Sequence, residues 1–285
     1  MDRRHALLML TLGGLASVAG CERRSAVVGQ SRFERVIASG TIRAGYLSYP
    51  PGTIVPPSNG APITGIFPDL LRAIAESTSL QVEFTEEVGY ADILEALSSG
   101  RCDILGGVWA NPNRAKGATV SEPAYYSALG VWVRAGENRI SSANRWESMN
   151  DSDIRIGAID GSSPVGVIKA QFPNATLNTY PNLTTEPQLF LDLAQGRIDV
   201  VLAEPSQGLL YSRSNPGRVI NIAQENPVRV FENVFLMPAN EPQFKTFIDA
   251  ALADQRSSGR LQQLINQYQP VEGAFYSVAR PFEIP

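Results

Sequence analysis

The sequence predicts an α/β fold of two lobes, each a mainly parallel sheet flanked by helices, joined by two hinge strands. Three observations support this prediction. Segments with strand periodicity alternate with helix-like segments along most of the chain, as in folds with parallel sheets. The phrase G-R-x-D followed by two hydrophobic residues occurs twice, at 100–105 and at 196–201. Each copy follows a helix-like run, so the copies are predicted to be equivalent turns from a helix into a strand in two related lobes.

The first lobe is predicted to begin with a β-α-β-α-β unit. In its first helix, Leu70, Leu71 and Ile74 fall on one face at the spacing of an amphipathic helix. The predicted elements are, in order, a strand at 41–47, a helix at 67–78, a strand at 80–86, a helix at 91–100 and a strand at 102–108.

The second lobe repeats this order. The phrase I-R-x-G lies in the first predicted strand at 42–45 and recurs at 154–157. Two matched phrases in the same order favour two copies of one structural plan. The second set of predicted elements is a strand at 153–159, a helix at 162–172, a strand at 175–180, a helix at 185–196 and a strand at 198–204.

The chain is predicted to cross twice between the lobes, through strands at 129–136 and 228–238, before a helical stretch at 242–268. Two crossings make a hinge. Because ligands bind beyond the carboxyl ends of parallel strands, a cleft between the lobes is the expected ligand site. The predicted organisation is a first lobe at 41–131 plus 233–270, a second lobe at 132–232 and a C-terminal tail at 271–285.

The first 20 residues have the layout of an export signal. Arg3 and Arg4 precede an uncharged stretch at 6–19, which is shorter than the roughly 20 residues that cross a bilayer. The segment predicts a signal peptide and an exported, periplasmic or cell-surface protein. The two arginines leave both the general secretory route and the twin-arginine route open.

The signal ends in the sequence V-A-G-C at 18–21, which resembles the lipobox of bacterial lipoproteins. This resemblance implies a lipid on Cys21, which would anchor the protein to the membrane, with residues 21–40 as a tether. The alternative is a plain secretory signal that contains a cysteine.

Composition excludes several classes of site. His5 is the only histidine and lies in the predicted signal, so the mature chain cannot hold a Ser-His-Asp or Cys-His centre or histidine-ligated zinc. A net charge of −4 does not favour nucleic acid as a partner. The chain has neither G-x-x-x-x-G-K-[ST] nor G-x-G-x-x-G, so phosphate-loop and dinucleotide sites have no support. We expect no cofactor and no metal.

Six motifs are similar to those of a known family. They are "GIFPDL" (65–70), "LSSGRCD" (97–103), "NPNRAK" (111–116), "SEPAYYS" (121–127), "DGSS" (160–163) and "GRIDVVLAE" (196–204). In this order the chain resembles, over about 41–270, the extracytoplasmic solute-binding proteins of amino-acid-type ABC transporters. The resemblance implies a monomeric, non-enzymatic clamshell like that of periplasmic binding proteins. Such a protein closes on a small ligand and delivers it to a membrane permease.

Four polar residues are the main ligand-binding candidates. Arg114 follows a predicted strand at a loop-to-helix start, where its guanidinium can hold a carboxylate with two parallel hydrogen bonds. Ser162 and Ser163 open a helix, whose free N–H groups favour an anion; simple capping of that helix is the alternative. Glu204 ends a strand at the position where the family has an aspartate for the ligand's amino group, which the resemblance carries over to this chain.

The resemblance also implies a set of ligand contacts in the first lobe, and several of them depart from the family. Ile66 stands where the family has an aromatic platform, and Leu47 replaces an acidic residue, which argues against a lysine- or arginine-specific pocket. Trp109 either stacks on the ligand or packs in the core. The residues in this set are Tyr49, Ile66, Phe67, Gly107, Trp109 and Asn111.

Two other functions remain open. One is an exported dehydratase for prephenate- or arogenate-like acids on the same fold, with Glu204 as a general acid. The other is a stand-alone sensor subunit that docks on a receptor. A fused sensor or cell-wall lyase is not expected, because the segment at 271–285 is too short to encode a further domain.

Overall fold

The computed structural model of the protein describes residues 30–57, 60–141 and 143–277. From Ser31 onwards, the described residues belong to one compact unit. The predicted signal peptide and Cys21 lie outside the described residues.

Helices flank the sheet in both lobes. They are α1 (Arg32–Ser39), α2 (Ile66–Ser77), α3 (Ile93–Ser99), α4 (Pro112–Ala115), α5 (Ser163–Gln171), α6 (Glu186–Ala194), α7 (Pro205–Ser214), α8 (Pro242–Ser257) and α9 (Arg260–Tyr268), with a 3-10 helix at Ala143–Met149. Among the described residues, none of these helices combines the length and apolar character needed to cross a membrane.

The strands form one mixed sheet. They are β1 (Thr41–Tyr46), β2 (Gln81–Glu87), β3 (Ile104–Trp109), β4 (Ala118–Val120), β5 (Tyr125–Arg134), β6 (Arg155–Ile159), β7 (Thr176–Tyr180), β8 (Val200–Ala203), β9 (Val219–Asn221), β10 (Arg229–Pro238) and β11 (Tyr276–Ser277). Their main order is β2-β1-β3-β10-β5-β8-β6-β7.

The sheet confirms the predicted fold of two similar halves. In the first lobe β1 lies between β2 and β3 and is parallel to both, and in the second lobe β6 has the same relation to β7 and β8. Strands β5 and β10 pair antiparallel at the centre. From there β10 continues along β3 and β5 continues along β8, so these two strands are the hinge.

The repeated G-R-x-D phrase makes the same hydrogen-bond network in both lobes. In the first lobe, Asp103 accepts from the backbone N–H of Arg43 (3.0 Å) and from its guanidinium, which also donates to the carbonyl of Gly100 (2.8 Å). In the second lobe, Asp199 accepts from the N–H of Arg155 (3.0 Å) and from its guanidinium, which donates to Gly196 (2.8 Å). The phrase therefore joins the helix–strand turn to the neighbouring first strand of each unit.

Residues 32–39, which the sequence analysis assigned to the tether, form helix α1 instead. Ser31 begins this helix with a reciprocal capping box to Glu34. Val36 is buried in the core of the first lobe, and the ring of Phe33 stacks on Phe244 with centroids 5.7 Å apart. The segment looks polar because a helix this short buries only one narrow face.

The predicted tail and the predicted final helix also differ from the structure. Phe275 is buried in the first lobe, and Tyr276 pairs with Tyr126 of β5, so part of the tail belongs to the folded body. The helical stretch at 242–268 is two helices, because Gly259 adopts a left-handed backbone (φ +79°) between α8 and α9.

Candidate functional site

A cavity lies between the lobes, at the carboxyl ends of the parallel strands. It contains about 540 Å³ of space between protein atoms, a volume that includes open solvent at its mouth. Both lobes and several loops contribute to its wall. The lining residues are Tyr49, Tyr90, Gly107, Val108, Trp109, Arg114, Ala158, Ile159, Ser162, Ser163, Pro164, Glu186, Leu189, Val201, Leu202 and Ala203.

Arg114 is held at this cavity by the start of α4. The side chain of Asn111 caps the helix by accepting from the Arg114 N–H at 3.0 Å. The guanidinium Nη1 donates to the carbonyl of Trp109 at 2.7 Å and to Ser163 Oγ at 3.3 Å. Its Nη2 is buried and has no hydrogen-bond partner among the described residues.

The charge of Arg114 has no acidic neighbour within ion-pair distance in the described part of the chain. Burial lowers the pKa of Arg114 to about 10, so the side chain is still protonated at neutral pH. A buried cation without a counter-charge is costly, and an anion in the cavity would remove that cost.

The start of α5 faces Arg114 from the second lobe. Ser162 is the N-cap residue, but its hydroxyl makes no capping hydrogen bond and is buried without a partner among the described residues. Ser163 Oγ accepts from Asn111 Nδ2 at 3.1 Å as well as from Arg114. The free donors of the first turn of α5 add to the positive potential at this end of the cavity.

Trp109 both lines the cavity and packs in the core. Its ring stacks on Phe231 with centroids 4.5 Å apart and an interplanar angle of 10°. Its Nε1 donates to Ser127 Oγ at 2.8 Å, and this hydroxyl also accepts from Asn233. These contacts pack the indole in the core and hold it at the cavity wall, and stacking of Trp109 on a ligand stays a prediction.

Two tyrosine–glutamate pairs cross between the lobes. Tyr49 of the first lobe donates to Glu204 of the second at 2.5 Å, and Tyr90 donates to Glu186 at 3.0 Å. Burial raises the pKa of Glu204 to about 7, against the lowering effect of the Tyr49 hydrogen bond. Burial also raises the pKa of Glu186 to about 7.

Of the predicted ligand-binding residues, seven lie on the cavity wall or next to Arg114. Glu204 is buried behind the wall, directly after the lining residue Ala203. Ile66 and Phe67 do not line this cavity: both are buried in the core of the first lobe, where Phe67 packs on Tyr125 and Phe235. The seven are Tyr49, Gly107, Trp109, Asn111, Arg114, Ser162 and Ser163.

Sequence reasoning missed Tyr90 and Glu186. Tyr90 lies in the connection from β2 to α3, and Glu186 follows β7 as the first residue of α6. Both connections leave the carboxyl ends of parallel strands, so the rule that located the cleft could have found these residues. Across the described residues, no cluster of three or more acidic, histidine or cysteine side chains is placed to hold a metal ion.

Comparison with known proteins identifies the family. Residues 42–271 match the bacterial extracellular solute-binding proteins, family 3. The chain belongs to this family.

A curated relative is the membrane-bound lytic murein transglycosylase F of Aliivibrio fischeri, 24% identical over 275 residues. The match covers 93% of this chain and 52% of the transglycosylase, so the solute-binding protein spans about half the length of that relative.

Solved structures of similar fold include two amino-acid-binding proteins. One is an ancestral amino-acid-binding protein described as a precursor of cyclohexadienyl dehydratase, with 21% identity, a TM-score of 0.72 and coverage of 84% of this chain and 100% of its own. The other is an amino acid ABC transporter substrate-binding protein from Streptococcus pneumoniae bound to L-arginine, with 20% identity, a TM-score of 0.69 and coverage of 87% and 100%. At these identities the likeness shows the fold.

Proposed function

We propose that this solute-binding protein binds a small carboxylate, an α-amino acid, between its lobes and delivers it to the permease of an ABC transporter. The observation that carries the proposal is the buried Arg114 at the cavity wall, whose Nη2 has no partner among the described residues. The proposal involves no bond-making step and no cofactor.

A carboxylate fits the end of the cavity where both lobes supply donors. The Arg114 guanidinium offers charged N–H groups from the first lobe, and Ser162 Oγ offers a free hydroxyl from the second. Charge-assisted hydrogen bonds to both would favour the closed arrangement of the lobes over an open one. Ligand binding and lobe closure are therefore the same event in this proposal.

Delivery requires the protein to remain near a permease. A lipid on Cys21 would hold the protein at the extracytoplasmic face of the membrane. The closed, ligand-bound lobes would be the form that the permease recognises. Mass spectrometry of the protein isolated from membranes tests the anchor, and an unmodified Cys21 in the mature protein would contradict it.

Replacing Arg114 with alanine should weaken binding of an α-amino acid by about 10- to 100-fold, the range expected for losing charge-assisted hydrogen bonds. A thermal-shift panel of the twenty amino acids and small acids would identify the ligand, since a ligand at 100 times its dissociation constant stabilises by about 2.7 kcal/mol. Calorimetry would then give the change in affinity.

The matched control is Arg260→Ala, because Arg260 is exposed on α9 and far along the chain from the cavity residues. An unchanged dissociation constant in Arg114→Ala would contradict the proposal that Arg114 binds the ligand's carboxylate.

A dehydratase is the second candidate, and the buried carboxyl group of Glu204 favours it. With a pKa raised to about 7 by burial, Glu204 can hold a proton near neutral pH, and its hydrogen bond to Tyr49, which lines the cavity, would be the route by which that proton reaches a substrate. Turnover of prephenate or arogenate that disappears in Glu204→Gln would support this candidate. Absence of product with both acids removes it.

A further inference from the structure

The cavity wall carries one basic and one acidic side chain. Among its described lining residues, Arg114 is the only base and Glu186 the only acid. An α-amino acid has one carboxylate and one ammonium group, and both would be paired. A ligand with a charged side chain would bring a third charge into a buried site without a partner, which costs several kcal/mol.

The rest of the wall is mostly apolar. It offers a ligand side chain aliphatic groups from the first lobe's β3 and from the second lobe's β6, α5, α6 and β8, together with the indole of Trp109. Apolar surface that leaves water against such a wall is stabilised by about 25 cal/mol per Å². The aliphatic groups are those of Val108, Ile159, Pro164, Leu189, Val201 and Leu202.

Glu186 is placed to receive an amino group. It begins α6, is buried, and accepts the Tyr90 hydroxyl at 3.0 Å, so it lies where the two lobes meet at the cavity. Glu204 has a different position, because it is buried, does not line the cavity and accepts a hydrogen bond from Tyr49, which does line it.

We propose that the cleft selects α-amino acids with an uncharged, apolar side chain, and that Glu186, rather than Glu204, receives their amino group. This inference rests on the proposed function, in which Arg114 takes the carboxylate. It adds the substrate class and a specificity-determining residue to that function.

The test is calorimetric titration of the full-length protein with L-leucine, L-phenylalanine, L-arginine and L-glutamate. We expect leucine or phenylalanine to bind at least about tenfold more tightly than arginine and glutamate, because only the charged side chains would lose hydration without gaining a partner. Tighter binding of arginine or glutamate would overturn the substrate class and leave amino-acid binding intact.

Two acid-to-amide variants distinguish the roles of Glu186 and Glu204 in binding the amino group. Glu186→Gln should weaken binding of the amino acid by about 10- to 100-fold, the range for losing a hydrogen bond to a charged group. Glu204→Gln should have a clearly smaller effect on the same affinity. Glu76→Gln, on the exposed face of α2, is the control for acid-to-amide replacement. The reverse order of effects in the two buried variants would overturn the role of Glu186.

These outcomes separate the inference from the proposed function. Failure of all four amino acids to bind, together with no effect of Arg114→Ala on any ligand from the wider panel, would contradict both. If Arg114→Ala loses binding but the parent protein prefers an amino acid with a charged side chain, only the inference on the substrate class is contradicted and the proposed function stands.

Discussion

At the scale of single residues, the two buried glutamates are the groups most sensitive to pH near neutrality. Glu204 is hydrogen-bonded to Tyr49, and Glu186 is hydrogen-bonded to Tyr90. The charge of Glu204 raises the pKa of Glu186 in addition to the effect of burial. Arg114 lines the cavity together with Glu186. Because burial raises both pKa values from the ordinary 4.5 to about 7, the folded protein binds more protons than the unfolded chain between these values.

The unliganded protein should therefore lose stability as pH rises. The contribution of these two carboxyl groups is fully present below about pH 4.5 and is lost as pH rises through about 7. Each group gives a slope of up to about 1.4 kcal/mol per pH unit in that window. Urea unfolding between pH 5 and pH 8 measures it.

The double variant Glu186→Gln/Glu204→Gln should have a flatter profile than the parent protein over the same range. Equal slopes in the two proteins would show that neither carboxyl group has the raised pKa.

At the scale of elements, the paired Asp–Arg networks hold each β-α-β-α-β unit together. Hydrogen bonds from Arg155 and Arg139, opposing the effect of burial, hold the pKa of Asp199 at about 2. Asp103 is fully buried and lies within ion-pair distance of Arg32, Arg35 and Arg43. Removing either carboxylate would leave guanidinium and backbone N–H groups without their acceptor.

Asp103→Asn and Asp199→Asn should each lower the free energy of unfolding by about 2 kcal/mol at neutral pH, within the range for an unsatisfied hydrogen-bond network to a charged group. Denaturation with urea measures this, with Asp153→Asn on an exposed turn as the control. A loss no larger than that of the control would mean that these networks do not stabilise the fold.

At the scale of the whole molecule, the lobes touch through backbone as well as side chains. Gly161 has a left-handed backbone (φ +73°), and a Cβ atom there would lie 2.5 Å from the backbone nitrogen of Ala91 in the other lobe. The side chains of Asp92 and Asn182 are bonded across the same junction at 2.8 Å. Closure at this point therefore requires a residue without a side chain.

Gly161→Ala should keep the fold but hold the lobes apart, since the added methyl group cannot overlap backbone atoms. We expect at least about a tenfold loss of ligand affinity, equal to about 1.4 kcal/mol, and a larger radius of gyration in solution with ligand present. Gly217→Ala is a matched control, because Gly217 has a similar φ of +69° and open space where the methyl group would be. Equal affinities of the two variants would contradict this role of Gly161.

The sequence by itself determined the architecture and located the residues that we propose to bind the ligand's carboxylate. The hydrophobic periodicity, the order of helices and strands and the two G-R-x-D phrases can all be read from the sequence. Because parallel strands place their carboxyl ends at one edge of the sheet, Arg114, Ser162 and Ser163 could be located there without coordinates. The capping box at Ser31 was equally local, and could have indicated α1.

Only the tertiary structure decided which side chains meet across the cleft. Helical periodicity does not show which side of the first turn of α2 faces the cleft, which is why Phe67 packs in the core although it lies in the motif at 65–70. The pairs Tyr49–Glu204 and Tyr90–Glu186 join residues far apart in the sequence. Their burial, and with it their raised carboxyl pKa values, exists only when the two lobes exclude water from the space between them.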